Sequence, residues 1–233
     1  MKTIGLIGGM SWESTIPYYR YLNEGVKNQL GGLHSAKCIL VSVDFYEIER
    51  LQQAGDWDAA GAMLGRAART LEVAGADFIV LCTNTMHKVA PAIETAVAIP
   101  LLHIADATAA AIKQAGGRRV GLLGTKFTMQ QPFYRERLSE THGIEVLLPN
   151  ETEQDSLHQI IYQELCQGVI NPESKQAVRK MMAGLAWQGI DGIILGCTEI
   201  GLLVGKADAA VPLFDTTLIH AKAAVELALD GSK

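Results

Sequence analysis

One thiol in this chain is placed like a reacting group. Cys197 lies in Leu195-Gly196-Cys197-Thr198-Glu199, directly after the apolar run Ile193–Leu195. A thiol at a strand end, ahead of a helix, meets backbone N–H groups and the positive end of the helix dipole. Both favour thiolate over the reference thiol, whose pKa is about 8.5. A thiolate attacks as a nucleophile or removes a proton as a base. Glu199 is spaced to receive or orient that proton. A buried cysteine also serves simply as a small apolar residue; Gly196, Thr198 and Glu199 around it tip the reading toward chemistry.

The chain writes a similar segment earlier. Gly75-Ala76-Asp77-Phe78-Ile79-Val80-Leu81-Cys82-Thr83-Asn84-Thr85 parallels Gly189-Ile190-Asp191-Gly192-Ile193-Ile194-Leu195-Gly196-Cys197-Thr198-Glu199. Where the second copy has a thiol, the first has the Thr83 hydroxyl. A hydroxyl is a far weaker base, yet it donates a hydrogen bond, relays a proton through water, or orients a ligand. It also serves as an ordinary helix cap. Cys82 is adjacent, but strand neighbours point to opposite faces, so Cys82 is expected against a packed helix. Asn84, Thr85 and Thr198 add amide and hydroxyl groups of the kind that bind carboxylates or phosphates at helix starts. Gly5, Gly8 and Gly9 match neither a P-loop nor a dinucleotide fingerprint, and Asp44 lies at the wrong spacing for one. They read as a tight strand-to-helix turn. His87 and His103 read as structural or surface histidines. Trp12 either walls a cleft or packs, and Arg50, Gln52 and Cys166 have no role assignable from spacing.

Positioning such groups requires strands that end together. Ile4–Ile7, Cys38–Val43, Phe78–Leu81 and Ile193–Leu195 are short, continuous apolar runs, the pattern of parallel strands buried on both faces. Helical spacing fills the stretches 14–30, 56–73, 126–141, 153–166, 173–188 and 216–229. Strand alternating with helix predicts an α/β fold. Ile4-Gly5-Leu6-Ile7-Gly8 resembles Val120-Gly121-Leu122-Leu123-Gly124, and Ile99-Pro100-Leu101-Leu102 resembles Val211-Pro212-Leu213-Phe214. These matches recur at an offset of roughly 112–116 residues and in the same order. They predict two similar Rossmann-like lobes, each with about four parallel strands. Residues 1–104 plus about 212–233 form one lobe and 105–211 the other. Ligands of open parallel sheets bind at the carboxyl ends of strands, so the expected site is a small cleft between the lobes.

Composition narrows the partners. The 233 residues carry a formal net charge of −5, with 48% hydrophobic and 19% charged residues. No basic stripe favours nucleic acid, and 6% scattered aromatics offer no base-stacking platform. No run reaches the roughly 18–20 apolar residues of a membrane span. No leader sequence is recognisable, so a cytoplasmic location is expected. Cys38, Cys82, Cys166 and Cys197 show no CxxC pair or metal-ligand spacing and are expected as free thiols.

Three segments together resemble the signatures of the aspartate/glutamate racemase family. They are Gly8-Gly9-Met10-Ser11-Trp12-Glu13-Ser14-Thr15, Cys82-Thr83-Asn84-Thr85-Met86-His87 and Leu195-Gly196-Cys197-Thr198-Glu199. The likeness covers essentially the whole chain and is greatest to the aspartate racemase branch. It implies two lobes in pseudo-twofold arrangement, commonly a homodimer, and a substrate α-carbon flanked by two cysteines. One removes the α-proton and the other reprotonates the opposite face, without pyridoxal phosphate, metal or nucleotide. Cys197 matches the second cysteine. The first normally reads Cys-Asn-Thr, and here Thr83 fills that slot.

The resemblance then implies that Cys197 deprotonates L-aspartate or L-glutamate while Thr83, directly or through water, supplies the other face. D-substrates turn over slowly. Met10, Asn84, Thr85, Thr198 and Glu199 match motif positions implied to bind substrate, and Gln52 lies near another. The cationic residue, usually Lys, that aspartate racemases carry near Cys166 is missing. Two other functions suit the same residues: a single-cysteine decarboxylase or isomerase of small dicarboxylates, and a small-ligand-binding relative without catalysis.

Overall fold

The computed structural model describes residues 1–230. They divide into two compact units, one of residues 1–103 plus the segment from His220 on, the other Ile104–Ile219. Each unit holds one four-stranded parallel sheet flanked by helices, the α/β fold expected.

In the first unit the strands are β1 (Ile4–Gly8), β2 (Cys38–Ser42), β3 (Phe78–Leu81) and β4 (Leu101–Leu102), in the order β2-β1-β3-β4. Successive residues of β1 and β3 serve two separate cores. Ile7, Ile79 and Leu81 join Leu64, Leu71 and Ile93. Ile4, Leu6, Phe78, Val80 and Cys82 join Tyr18, Leu22 and Val26 with Ala221, Ala224 and Val225 of the last helix, Thr216–Leu229. Both faces are covered, which is why the strands read as unbroken apolar runs. The turn after β1 is tight. Gly9 has φ +92° and packs against the Val43 carbonyl so closely that any side chain would collide. Its N–H donates to Thr15 Oγ1 at 2.9 Å, closing the expected strand-to-helix turn.

In the second unit the strands are β5 (Arg119–Gly124), β6 (Glu145–Leu147), β7 (Gly192–Gly196) and β8 (Leu213–Asp215), in the order β6-β5-β7-β8. The two sheets share one topology, as the internal repeat predicts. Two expectations need correction. The helix expected over 126–141 is three pieces, Lys126–Gln130, Pro132–Glu136 and Arg137–Thr141. Pro132 imposes the break, because Gln131 before it must be extended, with ψ 148°. The return to the first unit comes at His220, not near 212. Leu213–Asp215 pairs with β7 and so completes the second sheet.

The repeated acidic residue has the same job twice. Asp77 N donates to the Thr3 carbonyl at 2.9 Å, and Asp77 Oδ2 accepts from Thr3 N at 2.5 Å. Asp191 N donates to the Arg119 carbonyl at 2.7 Å, and Asp191 Oδ2 accepts from Arg118 N and Arg119 N at 2.7 and 2.9 Å. These backbone donors hold the Asp191 carboxyl below its ordinary pKa. Each aspartate thereby ties the amino end of one central strand to its neighbour.

His220 locks the last helix into the first unit. Its Nε2 donates to the Leu102 carbonyl at 2.8 Å, so Nδ1 accepts from the Tyr18 hydroxyl at 2.9 Å. Burial pushes its pKa from 6.5 down to about 4. Below pH 6.5 the unfolded chain takes up a proton that folded His220 refuses, so stability falls as pH drops toward 4. We expect this group alone to remove about 3 kcal/mol across that window. Urea unfolding of wild type and His220→Gln at pH 6.5 and 4 measures it: the variant should lose correspondingly less between the two pH values.

Candidate active site

Thr83, Asn84 and Thr85 follow β3 in the chain, and Cys197, Thr198 and Glu199 follow β7. All six are buried. In the first unit Thr83 is only 6% exposed. Its backbone is pinned at both ends: its N–H donates to the Leu81 carbonyl at 2.8 Å, and its carbonyl accepts from His87 Nδ1 at 2.7 Å. Its hydroxyl makes no hydrogen bond among the described residues. Asn84 and Thr85 open the short helical turn Thr85–Val89 that follows. Gln52, on the helix Phe45–Ala54, donates from Nε2 to Met86 Sδ at 3.0 Å. Gln52 thereby touches the Thr83 segment through Met86, and Met10 is buried in the same core cluster as Met86. Cys82 points the other way, into the core beneath the last helix, and burial drives its pKa far up. It is a packing residue.

In the second unit Cys197, Thr198 and Glu199 form one hydrogen-bonded group. Cys197 Sγ donates to Glu199 Oε2 at 2.9 Å, and Thr198 Oγ1 donates to the same oxygen at 2.9 Å. Close backbone approach sets the segment. Gly196 pairs with Gly124, and a Cβ on Gly124 would stand 2.9 Å from the Gly196 carbonyl oxygen. Thr125 then caps the next helix, its Oγ1 accepting from Thr128 N at 3.2 Å.

The protonation state of Cys197 departs from expectation. Its pKa is raised well above the ordinary thiol value, not lowered. Burial is the main cause, followed by the negative charge of Glu199; the charge of nearby Cys166 and the hydrogen bond to Glu199 add to it. The helix after it, Ile200–Leu203, is one turn long. Its dipole is too small to offset desolvation, and the single opposing contribution is the Glu199 backbone N–H. Cys197 therefore rests as a neutral thiol hydrogen-bonded to Glu199.

His87, read from sequence as structural or on the surface, is structural: it is buried against the Thr83 backbone. Its partner there is what the sequence does not name. Its spacing, four residues beyond Thr83, is the available signal. All four cysteines are free thiols. Among the described residues no cluster of three or more His, Cys, Asp or Glu is arranged for a metal, and no helix is long and apolar enough to cross a membrane.

This geometry has relatives. The model of the Asp/Glu/hydantoin racemase family matches residues 7–224. The broad specificity amino-acid racemase RacX of Bacillus subtilis (strain 168) is 27% identical over 231 residues, covering 95% of this chain and 96% of the relative. The crystal structure of an aspartate racemase homologue from Pyrococcus horikoshii OT3 is 38% identical, with TM-score 0.83, covering 98% of this chain and 99% of that one. A Yersinia pestis chain whose crystal structure carries an Asp/Glu racemase assignment is 62% identical, with TM-score 0.91, covering 98% and 100%.

The buried Cys197–Glu199 contact makes a checkable prediction. Iodoacetamide should alkylate Cys197 slowly at pH 7, because little thiolate is present. In Glu199→Gln the repelling charge is gone, the thiolate is favoured, and alkylation should speed up by about tenfold for each unit the pKa falls. Peptide mass spectrometry of Cys197 across pH 6 to 10 reads both rates.

Proposed function

The chain belongs to the Asp/Glu/hydantoin racemase family and is an isomerase of that kind; from this premise we propose that it racemises L-aspartate or L-glutamate without a cofactor, and exchanges the α-proton faster on the L-enantiomer. The observation that carries the proposal is the buried thiol–carboxylate pair, Cys197 Sγ to Glu199 Oε2 at 2.9 Å, in one unit, with the uncommitted Thr83 hydroxyl at the matching place in the other.

Each group then has one task. Asn84, Thr85 and Thr198 supply amide and hydroxyl groups for the substrate carboxylates, with Met10 and Gln52 completing the lining. The arriving α-ammonium offsets the charge that opposes thiolate formation. Cys197 passes its proton to Glu199 and, as thiolate, takes the α-proton of the L-substrate. The Thr83 hydroxyl, or a water it holds, returns a proton to the opposite face and is reprotonated from solvent, while Glu199 gives the proton it took from Cys197 back to solvent. In reverse, Thr83 must act as the base, and a hydroxyl is far weaker than a thiolate. α-Proton exchange is therefore faster on the L-enantiomer than on the D-enantiomer, while net racemisation keeps the same kcat/KM from either side because enantiomers are equal in free energy.

Proton exchange in deuterated water tests this. With each enantiomer of aspartate and glutamate, NMR should show faster α-exchange from the L-form. Cys197→Ala should lower L-exchange on the order of 10²–10⁴-fold, and Thr83→Ala should lower it less. Equal wild-type exchange from both enantiomers would sink the asymmetric scheme. Carbon dioxide release from malonates without amino-acid exchange would replace racemisation with decarboxylation.

A further inference from the structure

The first unit gathers three histidines behind the Thr83 turn. His87 follows Thr83 by four residues, His103 follows β4, and His220 comes from the last helix. The His87 and His103 rings lie 4.4 Å apart, centroid to centroid, inclined by 60°. The His220 ring meets His87 from another side at 6.0 Å, nearly edge-on. All three side chains are buried. The His87 ring is thus held in place by two others, and His220 is itself fixed at both nitrogens.

What the ring does follows from hydrogen-bond chemistry. A carbonyl oxygen has no proton to give, so the 2.7 Å bond between His87 Nδ1 and the Thr83 carbonyl makes Nδ1 the donor. The Thr83 N–H is already committed to the Leu81 carbonyl. Thr83 is therefore gripped on both sides of its Cα, which fixes the direction of its Cα–Cβ bond and so the few positions its hydroxyl can take.

We propose that His87 is the positioning residue of the Thr83 half of the reaction: its Nδ1–H holds the Thr83 peptide so that the hydroxyl is aimed at the substrate. This rests on the racemase reading above. His87 touches neither substrate nor reacting atom in this role. It aims one acid–base side and leaves the Cys197 side alone, since Cys197, Thr198 and Glu199 are organised by their own hydrogen bonds in the other unit. Small displacements of a proton-transferring group cost rate steeply, on the order of 10²-fold for a shift of about 1 Å.

The test separates the two halves of the reaction on one sample. L-glutamate in deuterated water reports the Cys197 side through deuterium in recovered L-glutamate, and the Thr83 side through D-glutamate formed. His87→Leu should cut D-glutamate formation by about tenfold or more and leave deuterium incorporation into L-glutamate within about twofold. His87→Asn should restore most of the loss, because its Nδ2 occupies nearly the place of Nδ1 and donates to the same carbonyl. His87→Gln should not, because its donor lies one bond further out; it also provides a polar variant should His87→Leu fail to fold. Equal loss of both readouts in His87→Leu or His87→Gln, or no difference between Asn and Gln, overturns the proposal. Wild-type protein that exchanges no α-proton overturns the racemase reading itself, and this role of His87 with it.

Discussion

Burial of the central strands on both faces constrains everything else here. β1 and β3 carry apolar side chains into two cores of the first unit, and β5 and β7 are buried along their length in the second. Polar chemistry has no room along such strands. It is confined to the points where the chain leaves the sheet: Thr83 stands two residues past one buried strand and Cys197 directly after another. The glycines at these exits serve the same end. Gly9 and Gly124 let neighbouring backbone approach to distances no side chain permits, so the turns are tight and the following residues are stiffly held.

Putting a thiol and a carboxylate together in that setting has an electrostatic cost. Burial and the Glu199 charge both oppose ionisation of Cys197. The result is a neutral thiol hydrogen-bonded to a carboxyl oxygen 2.9 Å away. A positive charge brought beside such a pair would favour the thiolate, so ionisation of Cys197 is sensitive to what lies next to it.

The architecture was legible in the sequence because strands covered on both faces cannot alternate in polarity. Phe78–Leu81 and Gly192–Gly196 therefore stood out as unbroken runs, and the repeated Gly-x-Asp ahead of each marked the duplication. The polar tails of these runs are the buried polar groups that follow β3 and β7. What escaped notice depended on distance in space. Leu213–Asp215 is too short to declare its sheet, and only pairing with β7 assigns it. The rise in Cys197 pKa comes from how much protein surrounds it and from a helix one turn long, neither of which residue spacing conveys. The packing of His87 against His103 and His220 is invisible in the sequence because the three are remote in the chain.

Asp77 and Asp191 fasten each sheet at the ends of the strands farthest from Thr83 and Cys197. Scaffold and chemistry are thus kept at opposite ends of the same strands. A residue at the reactive end can change from thiol to hydroxyl without disturbing the clasp that keeps the strands in register. A duplicated unit built this way can diverge in one copy alone, leaving two chemically unlike groups on one unchanged architecture. The unlike pair at positions 83 and 197 has the form such a drift would leave.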